Sequence, residues 1–162
     1  MKRVPFVFFI LTLLLVACSS IDCPIATTVA VNYTFCDAAG AKTTLDDTLS
    51  VWTRRGDGTD TLLFNRGVGQ TALQLPISYQ RPEDILVFRI ADVLNVETLD
   101  TVWITKEDIP HFESVDCAAH FFHTLTAVRS THRGIDTIAI INPSVTYDTS
   151  VEHLRICFKA RR

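Results

Sequence analysis

Short runs of alternating apolar and polar residues, rich in β-branched side chains, recur along the chain from about residue 27 to its end. No window sustains the 3.6-residue periodicity of a helix over three turns, so long amphipathic helices are not expected. Nine runs have the composition and the length of β-strands. They cover residues 27–37, 48–54, 60–65, 71–77, 84–91, 99–106, 121–130, 135–142 and 152–159.

Turn-forming residues separate these runs. Asp57-Gly58 predicts a hairpin turn between the second and third runs, and Asn142-Pro143 ends the eighth. Many short strands at this spacing predict an all-β domain, a two-sheet antiparallel β-sandwich of the immunoglobulin-like kind with about eight to nine strands. A small β-barrel is the alternative. The inward positions expected from alternation include Leu49, Val51, Val87, Ile104, Ile138, Ile140 and Ile156.

The N-terminus has the layout of a secretory signal. Lys2 and Arg3 precede an apolar stretch at residues 4–17, which is too short to span a bilayer comfortably. The stretch ends in Leu15-Val16-Ala17-Cys18, which resembles a bacterial lipobox, and it predicts lipidation at Cys18. An ordinary signal peptide or an uncleaved anchor is the alternative. The predicted organisation is a lipoprotein signal peptide at 1–17, a lipidated tether at 18–26 and the β-sandwich domain at 27–162.

The charge of the chain bears on its partners. The 162 residues carry a formal net charge of −3, and removal of residues 1–17 with Lys2 and Arg3 leaves 13 basic and 18 acidic residues. An acidic chain of this kind is not expected to bind nucleic acid or anionic lipid. The membrane is therefore expected to be a partner through the N-terminal lipid and not through charge.

Four cysteines remain after Cys18, and an even number in an exported chain predicts two disulfides. Alternation places Cys36 on the polar face of its strand with Asn32 and Thr34, and Cys157 on the polar face of its strand. The pairing Cys36–Cys157 is favoured, which leaves Cys23 to join Cys117. Separate free thiols and a zinc site are the alternatives, although no closely spaced cysteine pair supports zinc.

The richest cluster of polar side chains surrounds Cys117. Its members have the chemistry to bind a divalent metal ion, although their spacing fits no known metal motif, and they are His111, Glu113, Asp116, His120 and His123. The competing interpretation is a connection held by hydrogen bonds and a disulfide.

Trp52 is the candidate ligand contact. It shares the polar face of its strand with Thr48 and Ser50, so an exposed indole there could stack on a sugar or dock a protein. Packing between strands is the alternative for Trp52 and for Trp103. The chain has no nucleophile elbow, phosphate-binding loop or dinucleotide fingerprint, so neither an enzyme nor a cofactor is predicted.

Three segments together resemble a known family. The lipobox, Ile21-Asp22-Cys23-Pro24 and the run from Ile109 to Cys117 together resemble a family of small, functionally uncharacterised lipoproteins of Bacteroides-type bacteria. The resemblance implies a lipid-anchored location in the cell envelope of a diderm bacterium, and it implies no catalytic residue. Surface-exported lipoproteins of such bacteria carry acidic residues directly after the lipidated cysteine, whereas Ser19, Ser20 and Ile21 intervene here. The periplasmic face is therefore favoured.

Three functions follow as hypotheses. The first is a non-enzymatic, lipid-anchored protein that makes protein contacts in the cell envelope. The second is a lipoprotein that binds a small ligand, through a metal at the histidine cluster or a glycan at Trp52. The third is a hydrolase whose catalytic residues are dispersed along the chain.

Overall fold

Ten β-strands account for the regular structure in the part of the chain that the structure describes. The structure is a computed structural model, and it describes residue 23 and residues 29–55, 57–114 and 117–160. Cys18, Asp116 and most of the predicted signal peptide and tether lie outside the described residues. The strands are β1 (Ala30–Cys36), β2 (Thr48–Arg54), β3 (Asp60–Gly67), β4 (Ala72–Pro76), β5 (Glu83–Ala91), β6 (Glu97–His111), β7 (His120–Ser130), β8 (Ile135–Ile140), β9 (Ser144–Val145) and β10 (Leu154–Phe158).

The strands form two sheets, as the all-β sandwich prediction requires. One sheet has four strands in the order β4-β1-β10-β8, and the other has six in the order β3-β2-β5-β6-β7-β9. The described residues contain no helix with the length and apolar character needed to cross a membrane. Nine strands correspond to the nine predicted runs, and the short β9 is the addition.

One strand pair departs from the antiparallel prediction. β1 and β10 lie side by side in parallel, with Cys36 opposite Cys157. All the other pairs among the ten described strands are antiparallel. Parallel neighbours need a long connection, and here nearly the whole domain lies between the two strands.

The core lies between the inner faces of the two sheets. Leu49, Val51, Ile104 and Ile156 are fully buried there, while Ile138 and Ile140 are partly buried against it. Val87 was expected to point inward, and that expectation is wrong. In β5 the buried residues are Leu86, Phe88 and Ile90, so Val87 lies on the outer face. Its segment is almost continuously apolar, so alternation could not distinguish the two faces.

The strand β6 continues to His111, beyond its predicted end at residue 106. β5 accompanies β6 as far as Thr105, opposite Glu83, and beyond that point β6 pairs with β7 alone. Pro110 lies in this part, opposite Phe121 of β7, and proline is tolerated in strands that pair on one side only.

Two disulfides join distant parts of the chain. Cys36 and Cys157 are linked on the outer face of the four-stranded sheet, with their Cα atoms 4.3 Å apart. Cys23 is linked to Cys117, which follows β6 by a few residues. This is the pairing that strand alternation favours. The second disulfide holds the start of the described chain at the end of the sandwich where β6 ends and β7 begins.

Candidate functional site

The outer face of the six-stranded sheet carries two tryptophans with apolar neighbours, Trp52 on β2 and Trp103 on β6, with β5 between them. Register places Trp52 between Leu62 and Val87, and Trp103 beside Ile85. These side chains are half-buried, and Leu62 remains 44% exposed. We call this surface the tryptophan face, and its residues are Trp52, Leu62, Ile85, Val87, Arg89, Leu99, Trp103 and Arg129.

An arginine covers each tryptophan ring. The guanidinium carbon of Arg89 lies 5.1 Å from the centre of the Trp52 ring, and that of Arg129 lies 4.0 Å from the centre of the Trp103 ring. Such cation–π contacts contribute about 0.5 to 1 kcal/mol each at exposed sites. They also hold the long arginine side chains flat against the sheet. The face is thus an ordered surface of indole, aliphatic and guanidinium groups.

Ion pairs surround the apolar centre of this face. Arg89 lies 3.3 Å from Glu97, and Arg129 lies 3.4 Å from Glu83. Arg54 and Asp60 form a third, longer pair at 3.8 Å near the β2–β3 turn. Exposed pairs of this kind add little stability. They give the face a polar rim of balanced charge around an apolar centre.

The predicted metal residues divide between two places in the structure. His111 and His120 are opposite one another on β6 and β7, and Nε2 of His111 lies 3.0 Å from Oε1 of Glu113. His123 lies three residues beyond His120 and is buried, because an odd spacing along a strand turns the side chain to the other face. No three histidine, cysteine or acidic side chains among the described residues are placed to hold a metal ion.

Aromatic rings surround His111 and His120, the two histidines of the predicted metal cluster that are not fully buried. The His111 ring is stacked on Phe122, with centroids 4.2 Å apart, and Tyr147 meets the rings of His111, His120 and Phe122 edge-on. Desolvation, together with the nearby Glu113 carboxylate, raises the pKa of Tyr147. The exposed part of the predicted metal cluster is thus packed among aromatic rings, and Tyr147 comes from outside the segment.

His123 belongs to a buried network of charged groups. Its Nδ1 lies 2.6 Å from Oδ1 of Asp108, and the same oxygen accepts a hydrogen bond from Nζ of Lys106. Lys106 also donates to the carbonyl oxygen of Arg81 at 2.9 Å. Burial lowers the pKa of His123, outweighing the opposite effect of Asp108. An acid that orients an imidazole is part of many hydrolase sites. Within the described part of the chain, the hydrogen-bond partner of the His123 ring is Asp108.

Comparison with known protein families identifies the family to which the chain belongs. A model described as a family of unknown function, DUF6452, matches residues 48–158, which is more than half of the chain. The chain belongs to the DUF6452 family. No curated protein and no solved structure matches it. The matched residues run from β2 to β10, so the DUF6452 region contains the whole tryptophan face and the buried network, while β1 and Cys36 precede it.

Sequence reasoning missed most of the charged groups that the DUF6452 region buries. Lys106 and Asp108 are two and four residues beyond Ile104, so in a regular strand their side chains point to the same inner face as Ile104. This alternation was the feature of the sequence that could have identified them as buried. The predicted strand ended at residue 106, so Asp108 was not placed on it. Asp84 and Asp100 are also buried and were not singled out. Trp52 was singled out, and it lies on an outward surface, where Arg89 covers its ring.

Proposed function

We propose that this chain is a non-enzymatic, lipid-anchored protein of the bacterial cell envelope, on the periplasmic side, and that it makes protein contacts through the tryptophan face. The observation that carries the proposal is the pair of arginine-covered tryptophans on an outward sheet surface. Tryptophan and arginine are the side chains most enriched at the energetic centres of protein interfaces. A partly apolar centre with a polar rim is the usual anatomy of such an interface.

The partner we propose is another envelope protein with an apolar patch that fits between the two arginines. The rim charges are already paired, so the face offers no strong field of one sign to attract a polyanion or an anionic lipid surface. A glycan is less well supported, because a sugar stacked on Trp52 would have to displace Arg89. The favourable term left for a partner is burial of indole and aliphatic surface.

Site-specific photocrosslinking in intact cells tests the protein contact. A photoreactive phenylalanine analogue at Thr101, which points outward beside Val87 and Trp103, should yield a discrete crosslinked species. The matched control is the same substitution at Thr137, an exposed threonine on β8 of the other sheet, which should yield none. Adding Trp103→Ala and Arg129→Ala to the Thr101 variant should reduce its crosslinked species at least tenfold.

Three outcomes would contradict this function. The first is that the analogue gives the same crosslinked species at Thr101 and at Thr137. The second is that it gives no crosslink at Thr101. The third is that the Thr101 crosslink joins only two copies of this chain. Mass spectrometry of the crosslinked band distinguishes the last outcome from capture of another protein.

The lipid anchor is the second part of the proposal. It is supported by the Leu15-Val16-Ala17-Cys18 sequence and by two disulfides, which form in an oxidising compartment. Cys23 follows Cys18 by five residues and is bonded to Cys117. An anchor at Cys18 would therefore reach the domain at the end of the sandwich where β6 meets β7.

Replacing Cys18 with alanine should leave the precursor uncleaved by the lipoprotein signal peptidase and abolish acylation. Metabolic labelling with an alkyne fatty acid and membrane fractionation measure the two effects. Ser19→Ala is the control and should be acylated like the wild type, since the hydroxyl of Ser19 forms no part of the thioether. Normal labelling of the Cys18→Ala variant would refute the anchor.

A further inference from the structure

A cleft of 610 Å³ opens between the edges of the two sheets, and none of the predicted functions uses it. It lies beside the β2–β3 turn and the segment that joins β4 to β5. Its apolar lining comes from Leu63, Pro76, Ile77 and Leu86. The rest of its lining is polar and includes Arg55, Arg81 and Asp84. Small-molecule sites of this size combine apolar surface with polar groups that fix the orientation of the ligand.

A buried carboxylate with a free oxygen lines the cleft. Asp84 is only 5% exposed, and its Oδ2 accepts a hydrogen bond from the backbone N–H of Ser78 at 2.9 Å. Its Oδ1 is buried and accepts no hydrogen bond from any described residue. A buried acceptor without a donor costs about 1 to 3 kcal/mol, so native structures rarely retain one without a reason. A donor supplied by a bound molecule would remove that cost.

The surroundings of Asp84 determine which donor fits. Burial raises the pKa of Asp84, and Lys106, Arg81 and His123 oppose the shift. An ammonium group on a ligand would therefore meet like charges beside the carboxyl group. A neutral hydroxyl group can donate to Oδ1 without that repulsion.

Two arginines in the lining indicate which chemical group the other end of the ligand carries. Arg55 and Arg81 both line the cleft. The acid beside them, Asp57, already accepts hydrogen bonds from the N–H and the hydroxyl of Thr59. Lys106 is occupied by Asp108 and by the carbonyl of Arg81. Nη1 of Arg81 donates to the carbonyl oxygen of Arg54 at 2.7 Å, which leaves its other N–H groups for a ligand. These N–H groups and the guanidinium of Arg55 suit a carboxylate, which guanidinium binds in a planar, two-pronged fashion.

We propose that this cleft binds a small hydroxylated carboxylic acid, of the sugar-acid class, whose hydroxyl group donates to Asp84 and whose carboxylate pairs with Arg55 and Arg81. The apolar lining packs against the carbon skeleton between these ends. The site lies apart from the tryptophan face, and its occupation does not depend on the protein contact proposed above.

Isothermal titration calorimetry of the purified full chain with galacturonate as the probe tests the proposal. Galacturonate should bind saturably at one site. Galactose, which has the hydroxyl groups without the carboxylate, and hexanoate, which has the carboxylate without the hydroxyl groups, should each bind at least tenfold more weakly. No saturable binding of galacturonate, or equal binding of galactose, would overturn the proposal.

Variants locate the site. Arg55→Gln changes an exposed side chain and should weaken galacturonate binding at least tenfold without affecting the fold. Asp84→Leu should have an effect of similar size, because it removes the acceptor, and a thermal melt shows whether that variant is folded. Arg129→Gln on the tryptophan face is the matched control and should bind as the wild type does. Unchanged affinity in Arg55→Gln would overturn the proposal even if the Asp84 variant fails to fold.

Discussion

Replacing Asp100 with alanine is expected to destabilise the domain by about 3 to 5 kcal/mol, among the largest effects of any single substitution. Asp100 is fully buried on the inner face of β6. Its Oδ1 accepts from the hydroxyl of Thr131 and from the N–H of Arg133, both at 2.7 Å. Its Oδ2 accepts from the N–H groups of Gly134 and Ile135, at 2.6 and 2.8 Å.

These four hydrogen bonds hold the connection from β7 to β8, which is where the chain passes from the six-stranded to the four-stranded sheet. Alanine would leave three backbone donors without an acceptor inside the protein. Gly134 permits the close approach, since a Cβ there would lie 3.1 Å from Cγ2 of Thr98 and 3.4 Å from Oδ2 of Asp100.

Urea unfolding at pH 7 measures this effect. Glu107→Ala is the matched control, because Glu107 is an exposed acid on the same strand, and it should change the free energy of unfolding by no more than about 0.5 kcal/mol. A loss below about 1 kcal/mol in Asp100→Ala would show that the connection does not depend on this carboxylate.

The effect of Asp100 should also depend on pH, and its direction follows from the pKa. Burial by itself would raise the pKa of Asp100, but hydrogen bonds from Arg133, Thr131, Ile135 and Gly134 together lower it below its ordinary value. A lowered pKa in the folded state stabilises the protein above the unfolded-state pKa of about 3.9. That contribution is lost as the pH falls through the folded-state pKa. The difference between wild type and Asp100→Ala should therefore be constant from pH 6 to 8 and shrink below about pH 4.

Removing the Cys36–Cys157 disulfide is the second large effect, with an expected loss of about 4 to 5 kcal/mol on the chain-entropy account. The two cysteines are 121 residues apart in the sequence, so their bond restricts the unfolded chain over most of the domain. It also joins β1 to β10, the central parallel pair of the four-stranded sheet. Thermal unfolding with and without a reductant measures the loss.

The Cys23→Ala/Cys117→Ala variant is the background for this measurement, because reduction then breaks a single described disulfide. A reductant should lower its melting temperature by many degrees, and it should leave a further variant, with Cys36 and Cys157 also changed to alanine, unaffected. Equal melting temperatures of the first variant in both conditions, or recovery of Cys36 as a free thiol by peptide mapping, would contradict the prediction.

The local pattern of apolar and polar residues was sufficient to predict nine strands and the faces on which Cys36 and Cys157 lie. Alternation over a few residues places Cys36 with Asn32 and Thr34, and Cys157 with Arg155, on the outer faces of β1 and β10. Side-chain direction in a regular strand depends only on the parity of the position, so it can be read without knowing the partner strand. The nine predicted runs and the all-β class depend on the same local information.

The alternation of odd and even positions does not assign a side chain to the correct face where a strand is apolar on both faces or contains a bulge. The run from Ile85 to Phe88 is apolar throughout, so nothing local assigns Val87 to the outer face. In β7 the register shifts at Thr126, between the pair Lys106 and Leu125 and the pair Thr105 and Ala127. Residues on the two sides of that bulge therefore point outward with opposite parity, which places Arg129 over Trp103.

The sequence by itself determined nine of the ten strand segments, the turns between them and the faces that Cys36 and Cys157 occupy, because those properties depend on near neighbours along the chain. Only the tertiary structure decided the parallel pairing of β1 with β10, the tryptophan face and the position of Asp84 in a cleft. Each of these joins residues that are distant in sequence. Their juxtaposition depends on strand order and on how the two sheets pack, and no local pattern encodes either.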